Sequence, residues 1–190
     1  YINKSNKKIN FKKKNKMVKK KACVFISGSG TNLRSIIKST REYNFPINIE
    51  FVISNNNTAK GIYHAKKYAI PYIKILDKRK NFEQRALEAI RSKKIDIIFL
   101  AGFMKILSKR FVRDFKGKIL NIHPSLLPKF KGLDTFKRVL KANEKFTGCT
   151  VHFVDEKLDH GKIIVKKRIR IEKDFNQETL KKNVQILEYK

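Results

Sequence analysis

Residues 22–33 read Ala22-Cys23-Val24-Phe25-Ile26-Ser27-Gly28-Ser29-Gly30-Thr31-Asn32-Leu33. The apolar run Ala22–Ser27 stops at a pair of glycines, which predicts a buried strand leading into a tight turn. Apolar residues then recur at helical spacing from Leu33 to Thr40. A strand, a glycine turn and a helix in that order open a βα unit. Outward from it the alternation continues. Strands are predicted at Ile47–Ser54, Ile70–Ile75, Ile95–Ala101, Ile119–Ile122, Thr150–Val154 and Ile163–Ile171. Helices are predicted at Gly61–Tyr68, Phe82–Ser92, Leu107–Phe115, Phe136–Ala142 and Gln177–Leu187. The inner strands are apolar on both faces, so helices must cover both sides of the sheet. The fold class is α/β, doubly wound, with a mostly parallel sheet and a mixed edge, because the last two strands follow one another without a helix. Ligands of such sheets sit beyond the carboxyl ends of the strands.

The chain has 190 residues, enough for one domain with its own core. Its longest apolar run, Ile97–Met104, is too short for the roughly 20 residues of a membrane-crossing helix. The two cysteines, Cys23 and Cys149, rule out a disulfide scaffold or a cysteine zinc site as the organising feature. Net charge is +30, and basic charge of this size points first to nucleic acid. Ten lysines lie within residues 1–21, however, and the chain also holds 15 Asn and 24 Ile. Lys, Asn and Ile rise together when a coding sequence is AT-rich, so nucleic acid is not expected as a partner. Residues 1–16 carry seven Lys, no Arg and no apolar period, which predicts an unfolded tail without a targeting signal. The folded domain is expected over residues 17–190, in the cytoplasm.

Three segments carry candidate chemistry. In Ser27-Gly28-Ser29-Gly30-Thr31-Asn32, glycines let the backbone approach a ligand, and N–H groups at a helix start suit a phosphate. The loop lacks a third glycine and the Lys-Ser/Thr of a P-loop, so it suits a phosphate monoester; an ordinary βα turn has the same shape. In Leu120-Asn121-Ile122-His123-Pro124-Ser125-Leu126-Leu127-Pro128, Asn121 and His123 alternate by two and share one face of a strand end. An imidazolium beside an amide can act as a general acid and stabilise an oxyanion; a structural His at a strand end is the plainer reading. In Val151-His152-Phe153-Val154-Asp155-Glu156-Lys157-Leu158-Asp159-His160-Gly161, Asp159 can orient a His or take a proton. His152, between apolar neighbours, reads as a buried structural residue.

The ordered chain resembles the folate-dependent formyltransferases, and within them the phosphoribosylglycinamide formyltransferases of purine biosynthesis. The resemblance rests on residues 24–33, 100–108, 120–132, 147–154 and 158–161, in the family's order and spacing. It implies transfer of a formyl group from 10-formyltetrahydrofolate to the amine of glycinamide ribonucleotide, without a metal, by a monomer or homodimer acting on small molecules. Asn121, His123 and Asp159 match the family's catalytic trio. Gly30, Thr31 and Asn32 match its substrate-phosphate loop, and Glu188 a residue near the glycinamide. On the folate side, Arg79 matches an Arg, and Met104, Lys105, Ile106 and Leu107 match the segment lining the pterin pocket.

The chain departs from the family pattern at two positions: Phe136 stands where a His is expected and Lys105 where an Arg is expected. It also stops at Lys190, short of the family's usual end, so the domain is expected to be truncated there. A methionyl-tRNA formyltransferase shares the Asn-His-Asp trio and the Ser-Leu-Leu-Pro loop but not the loop at 27–32. A basic nucleic-acid-binding protein, or an inactive remnant on the same fold, is the alternative from another class.

Overall fold

A computed structural model describes residues 18–41, 45–76 and 81–189. The tail at 1–16 and Arg79 therefore lie outside the described residues. Seven strands and six helices follow in the order β1 (Lys20–Ile26), α1 (Thr31–Arg41), β2 (Ile47–Ser54), α2 (Ile62–Lys67), β3 (Tyr72–Lys74), α3 (Phe82–Ser92), β4 (Ile97–Leu100), α4 (Lys109–Asp114), β5 (Lys118–His123), α5 (Thr135–Lys141), β6 (Phe146–Phe153), β7 (Ile163–Arg170) and α6 (Gln177–Glu188). The strands form one sheet in the order β3-β2-β1-β4-β5-β6-β7. Pairing is parallel from β3 to β5 and antiparallel for β5–β6 and β6–β7. The predicted mixed edge is present, and it includes β5–β6 as well as the last pair. The winding direction reverses between β1 and β4, which opens a crevice at their carboxyl ends.

Strand alternation sorts the core into two faces. Cys23 and Phe25 of β1 join Ile98 of β4 and Ile119 of β5 under α3 and α4. Val24 and Ile26 point the other way, against Leu33 and Ile37 of α1 and Ala65 of α2. On that second side, Cys149 of β6 packs with Val139 of α5 and with Leu180 and Val184 of α6, with Ile122 alongside. Asn121 and His123, two and four residues beyond Ile119, therefore belong to the α3/α4 face, past the end of its core.

Element limits differ from the sequence reading where hydrogen bonding outruns hydrophobicity. β6 begins at Phe146, because Phe146, Thr147 and Gly148 pair with Arg170, Ile169 and Arg168 of β7. A Cβ at Gly148 would come within 1.8 Å of Lys167 O, so that close pairing requires glycine. α4 begins at Lys109, two residues later than predicted, because Ser108 caps it by accepting the Phe111 N–H at 3.1 Å. Leu107 thus joins Met104, Lys105 and Ile106 in one connecting loop. No helix among the described residues is long and apolar enough to cross a membrane.

Candidate active site

β5 ends in His123, and the alternation along it places Asn121 on the same face. The loop after β6 brings Asp159 to both. Asp159 Oδ2 lies 3.3 Å from His123 Nδ1 and accepts the Gly132 N–H at 2.8 Å. Asp159 Oδ1 accepts from Asn121 Nδ2 at 3.4 Å. The His123 and Asp159 side chains are 6% and 8% exposed, so these charges interact in a medium far less screening than water. Burial pushes the Asp159 carboxyl up, but His152, the Gly132 N–H and His123 outweigh it and leave the carboxyl below its ordinary value. The carboxylate is thus ionised at neutral pH. Asp159 itself adopts φ +44, a left-handed conformation that costs a non-glycine residue energy and aims the carboxylate inward.

The loop after β5 holds the other partners in place. Thr150 of β6 donates to Ser125 O at 2.6 Å and accepts the Leu127 N–H at 3.1 Å. Ser125 donates to Lys129 O at 2.7 Å. These bonds fix the turn that delivers Phe130 O to His123 Nε2 at 2.8 Å, so that nitrogen donates. Nδ1 faces a carboxylate, which is also an acceptor. Each ring nitrogen of His123 thus has an oxygen of a neighbouring segment beside it.

A second group of residues gathers at the turn after β1. Gly30 has φ +74 and packs back to back with Gly61: a Cβ on Gly30 would come within 2.4 Å of Gly61 Cα. The turn leads into α1, whose first residues are Thr31 and Asn32. Asn32 Nδ2 donates to Glu188 Oε2 of α6 at 2.9 Å, across 156 residues of sequence. Burial pushes the Glu188 carboxyl up, only partly countered by the Asn32 bond. Asn32 Oδ1 is buried and has no hydrogen-bond partner among the described residues. An unpartnered acceptor and a buried carboxyl thus stand together, where a ligand N–H donor would find acceptors on both.

The loop at 102–108 forms the third wall. Met104 and Ile106 are exposed, at 68% and 71%. Leu107 packs against the α3/α4 core, and Lys105 Nζ lies 5.7 Å from the centre of the Phe82 ring. Among the described residues, no cluster of three or more His, Cys, Asp or Glu could hold a metal ion.

Residues 20–190 match the family model described as formyl transferase. The chain belongs to the formyl transferase family. It is 44% identical over 158 residues to a phosphoribosylglycinamide formyltransferase of Haemophilus influenzae, covering 80% of this chain and 74% of that protein. It is 43% identical over 176 residues to the trifunctional purine biosynthetic protein adenosine-3 of Bos taurus, covering 90% of this chain but only 17% of that protein. The crystal structure of phosphoribosylglycinamide formyltransferase from Brucella melitensis superposes with a TM-score of 0.85 at 38% identity, covering 90% of both chains. The chain thus spans about a sixth of the trifunctional relative and most of the single-function ones.

Within this family fold, Asn121, His123 and Asp159 come together as the sequence suggests, and so do Gly30, Thr31, Asn32 and Glu188. His152 is the residue sequence reasoning under-read. It is buried as expected, at 1% exposure, but it is not a bystander. Its Nε2 lies 3.2 Å from Asn121 Nδ2 and 3.6 Å from Asp159 Oδ1. The antiparallel register sets Asn121 opposite His152, and no local signal carries that pairing. Phe136 turns into the cluster formed by α5 and α6, so it gives the trio no polar support.

Proposed function

We propose that the chain transfers a formyl group from 10-formyltetrahydrofolate to the amine of glycinamide ribonucleotide. The convergence of Asn121, His123 and Asp159 in one buried cluster carries this reading. Attack of the amine on the formyl carbon creates a tetrahedral oxyanion and a positively charged nitrogen. Nε2 is committed to Phe130 O, so His123 acts through Nδ1, whose 3.3 Å contact with Asp159 is long enough to be shared with the oxyanion. Asn121 supplies the second donor. Its 3.4 Å bond to Asp159 is long and therefore weak, so that N–H turns to the oxyanion at little cost. One preorganised donor of this kind is worth about 3 to 4 kcal/mol of barrier. Asp159 keeps His123 charged and helps pass the proton from the attacking amine to the departing folate nitrogen, directly or through water.

The substrate's phosphate sits on the backbone N–H groups at Gly30–Asn32, at the start of α1. Glu188 and Asn32 Oδ1 accept from its glycinamide end. Met104–Leu107 flank the folate, and the family resemblance alone assigns Arg79 to the same ligand. The reaction takes place in the cytoplasm and needs no metal.

The test is tetrahydrofolate release, followed by absorbance, with glycinamide ribonucleotide as acceptor. Release that depends on this acceptor supports the reading. Release only with methionyl-tRNA, or binding to RNA without any folate turnover, overturns it.

A further inference from the structure

Ser27 closes β1 and begins the turn assigned above to the substrate phosphate. It is buried, at 8% exposure. Its hydroxyl donates to Asn55 Oδ1 at 2.7 Å and accepts the Met104 N–H at 2.8 Å. Its carbonyl accepts from Asn56 Nδ2 at 2.9 Å. One side chain thus joins three loops: the turn at 27–30, the β2–α2 loop at 55–57 and the loop at 102–108. The sequence separations are 28 and 77 residues, so nothing local requires the junction.

The 102–108 loop is anchored through side chains by Phe103, which packs against Phe25 and Phe82, and by Leu107 on the α3/α4 core; its backbone is held at both ends. At its start, Ser27 N–H donates to Gly102 O at 3.2 Å. At its end, Ser108 N–H donates to Glu83 at 2.7 Å, and the Ser108 hydroxyl does the same. Between these ends, Met104 and Ile106 are exposed. The Met104 N–H is therefore a mid-loop tether, and it ends on the first residue of the other loop.

We propose that Ser27 is a positioning residue that couples the two substrate loops, so that ordering one by its ligand preorders the other. The inference rests on the assignment of 30–32 to glycinamide ribonucleotide and of 104–107 to folate. A hydroxyl that donates and accepts at once suits the role: alanine offers neither function, and the acceptor strength of a thiol is weak. Two sites joined by one ordered element bind cooperatively, because the first ligand has already met part of the ordering cost of the second.

The experiment measures tetrahydrofolate affinity by calorimetry, with and without glycinamide ribonucleotide, for the parent protein, Ser27→Ala and Ser27→Cys. Amide hydrogen exchange at Met104 is followed in all three. For the parent we expect several-fold tighter folate binding when the ribonucleotide is present. Ser27→Ala should bind folate about tenfold more weakly, with that ratio near one, and Ser27→Cys should fall between. Exchange at Met104 should quicken in Ser27→Ala while the amides of β1 and β4 keep their protection, a split that general loosening of the fold does not produce. If the parent binds both ligands and Ser27→Ala keeps the parent ratio, or Met104 exchanges at the parent rate, the coupling is overturned and the proposed function stands. A parent ratio of one overturns it too. A parent that binds neither ligand overturns the functional reading itself.

Discussion

Both ring nitrogens of His123 face acceptors, Phe130 O at 2.8 Å and Asp159 Oδ2 at 3.3 Å, and this pattern makes His123 and Asp159 one unit. His123→Ala and Asp159→Asn should each lower turnover by about 10² to 10⁴, the usual range for a positioned acid or base. The double variant should be little worse than either single one, since members of a unit are not additive. Steady-state rates of the three variants check this, and fully additive losses would assign separate roles. Glu188 makes a different kind of prediction. Its folded carboxyl titrates above the ordinary value of 4.5, so ionising it opposes folding. The stability it contributes is whole below that value and is lost as pH rises through the folded pKa. Glu188→Gln removes this loss while its amide oxygen can still accept from Asn32 Nδ2. The melting temperature of Glu188→Gln should exceed the parent's at pH 7, and the pH-dependent part of the gain should vanish below pH 4.5, while the KM for glycinamide ribonucleotide rises.

At the scale of elements, the turn between β1 and α1 depends on a second glycine thirty-one residues away. A Cβ on Gly61 would meet Ile26 Cδ1 at 2.8 Å and Gly30 Cα at 2.9 Å. Gly61 caps α2 with helical φ and ψ, −60° and −22°, so backbone preference alone favours Ala there. Contact should win: Gly61→Ala is expected to destabilise by about 1–3 kcal/mol through overpacking and to raise the KM for the ribonucleotide more than that for folate. Denaturant melts and a two-substrate kinetic matrix measure both effects. α6 depends on a capping box, in which Asn176 accepts from Glu178 and Thr179 and the Thr179 hydroxyl accepts the Asn176 N–H. Asn176→Ala should cost about 1 kcal/mol. Because α6 ends in Glu188, its fraying should also weaken ribonucleotide binding. Unchanged ribonucleotide affinity in a destabilised Asn176→Ala would separate the helix from the site.

At the scale of the whole molecule, 46 basic residues stand against 16 acidic ones. Like charges at this density repel one another and weaken the compact state, and salt screens that repulsion over about 8 Å at physiological strength. The charge also concentrates locally. A cavity of about 730 Å³ between the 126–130 loop and the start of β6 is lined by Lys129, Lys145, Lys166 and Arg168, against the lone acid Glu144. We expect the melting temperature to rise by several degrees between 10 mM and 200 mM salt. We also expect any retention on an anionic resin to disappear over the same range. A melting temperature that falls with added salt would show that attractive pairs outweigh the repulsion.

The order of strands and helices was legible because side-chain patterning is local: a continuous apolar run marks β1, alternation marks the end of β5, and helical spacing marks α1 and α3. The same period of two placed Asn121 and His123 on one face before any partner was known. Family motifs pointed to Asp159 and Glu188, but motif identity carries no distance. Tertiary structure alone decided that Asp159 bridges Asn121 and His123, that His152 stands opposite Asn121, and that Asn32 reaches Glu188. It also decided that Gly61 backs Gly30 and that Ser27 holds Met104. Each of these contacts joins segments far apart in the chain. Their meeting depends on sheet order, on the antiparallel register at β5–β6 and on how α6 packs across β6 and β7. Those are settled by burying the helix and strand faces together over the whole sheet, and no short window of residues contains that balance.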